Sequence, residues 1–169
     1  MKLLRGTIVA AEFLLLAPGF VSNTIAETVV SNTNNPTMDL LAALEARDLP
    51  AVTRALLAGA DSNHVLLGRP LLTMAVRRGD LEEVRLLLNS GARVDARTAF
   101  GRTALHEAAL YGLPEIAALL ISRGADVNAK NPRGETPLFY AEVGLVAGPP
   151  RTASQASVAE ILREHGGVR

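Results

Sequence analysis

The sequence predicts an all-α solenoid of about four short helix–turn–helix units, joined through β-turn fingers. Three observations lead there. Glycines and alanines recur at one fixed interval across the second half of the chain, and a regular interval of that kind marks stacked supersecondary units. Within each period, short apolar stripes at helical spacing end at a glycine. About half of the residues are apolar but only 4% are aromatic, with neither tryptophan nor cysteine. A core of Leu, Ala, Val and Ile suits small, closely approaching helices better than a β-sandwich, which draws on aromatic and β-branched side chains.

The register is dense. Gly68, Gly101 and Gly134 are evenly spaced, and Ala75, Ala108 and Ala141 keep the same interval. Gly79 pairs with Gly112 in the same way, Gly91 with Gly124, and Asp95 with Asn128. The most regular unit covers residues 98–130. Ala104, Leu105, Ala108 and Ala109 share one side of a first helix, and Ile116, Leu119 and Leu120 share one side of a second. Thr103 stands where a hydroxyl can accept a backbone hydrogen bond at a helix start. Gly112 and Gly124 stand where the two helices should end. Pro114 falls at the first position of the second helix, where its missing N–H is no loss.

Taken in order, residues 1–26 read as an export signal. Lys2 and Arg5 precede a mostly apolar stretch, and Thr24-Ile25-Ala26 supplies small residues at the positions a signal peptidase requires. Glu12 interrupts the apolar run, and each uninterrupted piece is too short to span a bilayer, so no stable membrane span is expected. A mis-assigned start or an apolar tail is the alternative. Residues 27–37 read as a flexible linker, and a repeat domain follows over 38–169. Its units are expected at about 38–64, 65–97, 98–130 and 131–167. The second has Pro70 where a threonine is expected. The fourth is longer than its period, because Gly166 follows Gly124 at a wider interval than Gly124 follows Gly91. The excess is placed in a loop near 144–157, which contains Gly148-Pro149-Pro150.

The run Gly101-Arg102-Thr103-Ala104-Leu105-His106-Glu107-Ala108-Ala109, with Gly112 and the closing Gly124-Ala125-Asp126-Val127-Asn128-Ala129, closely resembles the ankyrin repeat. Gly134-Glu135-Thr136-Pro137-Leu138 gives the signature more fully, but with Phe139 where histidine would stand. The resemblance implies a structural role for His106, linking neighbouring turns through hydrogen bonds. It also implies that partners meet the turn tips and the exposed side of each first helix, which line a concave face. By position these are Leu66, Leu67, Arg69, Arg77 and Arg78 in the second unit, and Arg97, Phe100, Arg102, Leu110 and Tyr111 in the third. Lys130 and Arg133 extend the set into the fourth.

Seven of those positions are basic in a chain whose 17 basic and 17 acidic side chains cancel, so a one-sided positive surface is expected. Phe100 and Tyr111 are two of the chain's six aromatic residues, and aromatic and arginine side chains are the usual anchors of interfaces. The alternative is that the arginines are ordinary solvated surface and Phe100 packs on its own turn. Phe100→Ala and Arg102→Glu are expected to weaken partner binding with little change in thermal midpoint.

Chemistry is sparse. No phosphate loop, nucleophile elbow or dinucleotide fingerprint is present. The three histidines, His64, His106 and His165, fall in different units without ligand spacing. Glu82 and Glu83 are adjacent, about 100° apart on a helix, and read as a solvated helix start. No cofactor is expected, and zero net charge argues against nucleic acid as partner. The expected function is therefore non-catalytic binding of another protein by a monomer, as an adaptor or inhibitor, in the periplasm or after secretion. A cytoplasmic location is the alternative, and so is a role as an accessory subunit of an enzyme or as a secreted effector.

Overall fold

Asn35 caps the first described helix. Its side chain accepts a hydrogen bond from the Thr37 amide (3.0 Å), and Pro36 occupies the first helical turn. The computed structural model describes residues 35–143 and 153–169. The expected export segment, residues 27–34 of the linker and residues 144–152 of the insertion lie outside them. Among the described residues the chain forms eight helices in four consecutive pairs: α1 (Pro36–Ala46) with α2 (Leu49–Leu57), α3 (Leu71–Arg78) with α4 (Leu81–Asn89), α5 (Ala104–Tyr111) with α6 (Pro114–Ser122), and α7 (Pro137–Val143) with α8 (Ala153–Glu164).

Two boundaries differ from expectation. Pro36 and Thr37 belong to α1 rather than to a linker, and the Thr37 hydroxyl also accepts from the Asp61 amide at 3.0 Å. The fourth unit's second helix begins at Ala153, so residues 153–157 of the expected loop are helical. The reason is visible at Gln155, which is buried and donates to the Leu110 carbonyl at 2.9 Å, satisfying an orphan acceptor at the end of α5.

The pairs stack in two layers. First helices pack α3 on α5 and α5 on α7, while second helices pack α2 on α4, α4 on α6 and α6 on α8. No single pair could bury its apolar face, so neighbours supply the core. In α5, residues Ala104 through Ala109 are all buried, since this helix has neighbours on every side. Small alanines make that possible. Leu119, expected on the buried face of α6, is only partly buried, and Ile116, Ala117 and Leu120 form that face instead.

Hydrogen bonds stitch successive units at both edges. On the loop edge, Asn63 donates to the Gly91 carbonyl (3.1 Å) and accepts from the Arg93 amide (2.8 Å). Asp95 accepts from the Asp126 amide (3.1 Å), and Asn128 repeats the Asn63 pattern with Gly166 (3.1 Å) and Val168 (2.8 Å). On the other edge stand three fingers. The first is a hairpin, β1 (Val65–Leu66) with β2 (Arg69–Pro70), paired antiparallel with Leu66 opposite Arg69. The second closes with the Thr98 amide donating to the Arg102 carbonyl at 2.9 Å, and the third with the Asn131 amide donating to the Glu135 carbonyl at 3.1 Å. The Ala99 amide donates to the Gly68 carbonyl at 2.7 Å, joining the first finger to the second.

Candidate interaction site on the finger side

His106 anchors the second finger to the third. Its Nδ1 accepts from the Thr103 amide at 3.1 Å, and its Nε2 lies 3.1 Å from the Glu135 carbonyl, which can only accept. Nε2 therefore carries the proton and the ring is neutral. Burial pushes the His106 pKa below its ordinary value of 6.5, and Arg97 and Arg102 push the same way. Below about pH 6.5 the unfolded chain takes up a proton that the folded ring resists, so stability falls with pH until the depressed folded pKa is passed. His106→Gln should lose this dependence. The stability gap between the wild-type protein and the variant, measured by denaturant titration, is expected to narrow as the pH drops. A constant gap would contradict the neutral assignment.

The cations of the expected positive surface divide into two groups. Arg78 is turned inward: its Nη1 donates to the Leu44 carbonyl at 2.7 Å and its Nη2 to Glu83 at 2.9 Å. Glu83 is buried, which corrects the expectation of a solvated acidic pair. Only Glu82 of the two is exposed, near Arg85 at 3.6 Å. Burial raises the Glu83 pKa, against the lowering influence of Arg78. Arg97 bridges two carbonyls, Gly101 at 2.9 Å and Lys130 at 2.7 Å. Arg102 places Nη2 3.0 Å from Oε1 of the fully buried Glu107, an ion pair without hydrogen-bond alignment. Arg78, Arg97 and Arg102 are thus ties within the fold. Arg102→Glu would set a second carboxylate against Glu107, so the expected small change in thermal midpoint does not hold for it. Arg97 stays exposed while it makes its ties, so outward positive charge comes from Arg69, Arg77, Arg97, Lys130 and Arg133, of which Arg97, Lys130 and Arg133 are exposed.

The apolar candidates are more open. Phe100 is 65% exposed and Leu67 92%. Tyr111 is 45% exposed, with the Arg77 guanidinium 5.9 Å from its ring centroid, and Leu66 and Leu110 are half-buried.

Ala99, Phe100, Arg102, Asn131, Pro132, Arg133 and Tyr140 line an open groove of about 420 Å³ between the second and third fingers. The two fingers touch at its base: a Cβ on Gly101, whose φ is +71°, would overlap Pro132 Cδ. Arg102 lies 6.0 Å from the ring centroid of Phe100 and 5.9 Å from that of Tyr140. The Tyr140 hydroxyl donates to Glu135 at 2.7 Å, and Asn131 donates to the same carboxylate oxygen at 2.7 Å. Those two bonds, Asn131 first, hold the Glu135 carboxyl below its usual range, while burial and the anionic neighbour raise the Tyr140 phenol. Tyr140 is not legible as a site residue from sequence. Its one signal is register, since it stands one full period after Glu107, on the same face of the next first helix.

Among the described residues no group of His, Cys, Asp or Glu is arranged to hold a metal ion, and no helix is long and apolar enough to cross a membrane. Residues 40–131 match the family model for ankyrin repeats (3 copies). Ankyrin repeats are general protein–protein interaction modules. With more than half of the chain matched, and with helix pairs, fingers and a bridging histidine arranged as the resemblance implies, the chain belongs to the ankyrin repeat family.

Proposed function

We propose that this chain is a stoichiometric binder, an adaptor or inhibitor, that holds an acidic protein partner against its fingers and first helices outside the cytoplasm. The observation that carries the reading is the groove between the second and third fingers. It sets a 65% exposed phenylalanine beside Pro132 and the exposed Arg133. An aromatic anchor flanked by a cation suits an interface centre whose partner offers apolar and acidic groups. The fingers are fixed by hydrogen bonds between units, so little conformational entropy is lost on docking. The basic, largely apolar start of the chain supports export with cleavage near Ala26.

The test is affinity capture with the processed protein, its mature amino terminus read by mass spectrometry in the same sample. The reading expects one stoichiometric protein partner with an acidic surface, and a terminus close to residue 27. A chain that keeps Met1, or that captures nothing at stoichiometry, would count against it.

A further inference from the structure

Leu67 stands where a leucine has no reason to stand for the sake of the fold. In the repeat register it corresponds to Phe100 and Arg133, so the three side chains head successive fingers. Only the first finger is a two-residue hairpin, and only there is the tip residue forced into the left-handed region: Leu67 has φ +51° and Gly68 φ +73°. Two positive φ values in succession make a type I′ turn, whose first position favours asparagine, aspartate or glycine. A branched apolar side chain is strained there. It also gains nothing from burial, because Leu67 is 92% exposed. The neighbouring Val65 is 53% exposed, so the hairpin shows an apolar edge to solvent.

The surroundings narrow what could cover it. The Ala99–Gly68 hydrogen bond holds the first two fingers together, so Leu67 and Phe100, each one residue from that bond, sit on joined fingers. Arg69 is half-exposed on the second strand of the hairpin, and Lys130 and Arg133 are exposed further along the fingers. Within the fingers the acidic side chain is Glu135, and it is already held by Asn131 and Tyr140.

We infer that Leu67 is a binding anchor retained against the conformational preference of its own turn. With Phe100 it forms an apolar tip row that takes a protein segment carrying bulky apolar side chains next to carboxylates. This rests on the reading of the finger side as the interaction surface and names the chemistry of its partner. Strain kept at an exposed position is the expected mark of a residue selected for contact rather than stability.

The experiment pans a phage-displayed library of random dodecapeptides on the full chain. Synthetic versions of the enriched peptides are then titrated against the wild-type protein, Leu67→Asn and a variant in which Phe100, Lys130 and Arg133 are replaced together. The enriched peptides are expected to place Asp or Glu beside bulky apolar residues. Leu67→Asn should raise the thermal midpoint by about 2–4 °C as the turn relaxes, while weakening these peptides by about tenfold or more. Peptide affinity unchanged within about twofold in Leu67→Asn, a lowered midpoint, or a library that enriches nothing acidic would each overturn the inference. Peptides that ignore Leu67 but lose the triple variant would overturn it while leaving the finger-side reading intact. Peptides that ignore both variants would remove both.

Discussion

Arg78→Ala is expected to destabilise the protein by about 3–5 kcal/mol, because it leaves a buried carboxylate without its counter-ion. Glu83 is 1% exposed, and the guanidinium that neutralises it also caps the Leu44 carbonyl, so one truncation orphans groups in two successive units. Burial already raises the Glu83 pKa. Removing Arg78 raises it further, and protonation then relieves the penalty. The folded state binds the proton more tightly than the unfolded chain, so stability falls as pH rises above the ordinary carboxylate range. The Arg78→Ala variant should therefore recover part of its loss as the pH is lowered toward 4.5, the ordinary value for this group. Glu83→Gln placed in the Arg78→Ala background should restore stability at neutral pH, in a double-mutant cycle followed by denaturant unfolding. Additive losses would show that the pair does not act as a unit.

Leu105→Ala should cost about 2–5 kcal/mol, toward the upper end of that range. Leu105 is fully buried and is the large aliphatic side chain in the buried stretch of α5, flanked by alanines that cannot expand into the void. Helices α3, α6, α7 and α8 all pack on α5, so neighbouring backbones cannot collapse inward without breaking their own pairings. Because each unit contacts only its neighbours, hydrogen exchange in the variant should rise most in α3 through α8 and least in α1. A uniform rise along the chain would indicate a single cooperative block instead of a stack.

Much of the fold can be read from one register. Spacing alone places Gly68, Gly101 and Gly134, and all three adopt positive φ at finger turns. Gly112 and Gly124 end their helices in the left-handed region, at φ +64° and +85°. These positions are legible because only glycine fits them cheaply, so the physical demand shows as a residue type.

What escapes the sequence depends on contacts between units. Arg78 and Glu83 lie close in the chain, across the turn from α3 to α4, but the Leu44 carbonyl that completes the site belongs to the preceding unit. Nothing local distinguishes the buried Glu83 from the exposed Glu82. Arg102 reads as an outward cation for the same reason, since its partner is a glutamate on the interior side of α5, and the carbonyls that tie the exposed Arg97 leave no mark in the sequence either. The shape of the first finger is hidden differently. Its glycine matches the register of the others, yet its strand pairing leaves a two-residue loop and forces Leu67 to positive φ. Pro70, standing where a threonine is expected, marks this unit as irregular without revealing how.

The proposal places recognition on the finger side and not on the second-helix layer. The direct measurement is the Kd of the captured partner for three forms of the protein: wild type, Phe100→Ala with Arg133→Glu, and Arg123→Glu, an exposed change just beyond α6. The finger-side variant should bind about a hundredfold more weakly, and Arg123→Glu within about twofold of wild type. All three should share nearly one thermal midpoint, because the altered side chains are exposed. Equal affinities for the two variants, or a greater loss with Arg123→Glu, would contradict the assignment of the fingers as the binding surface.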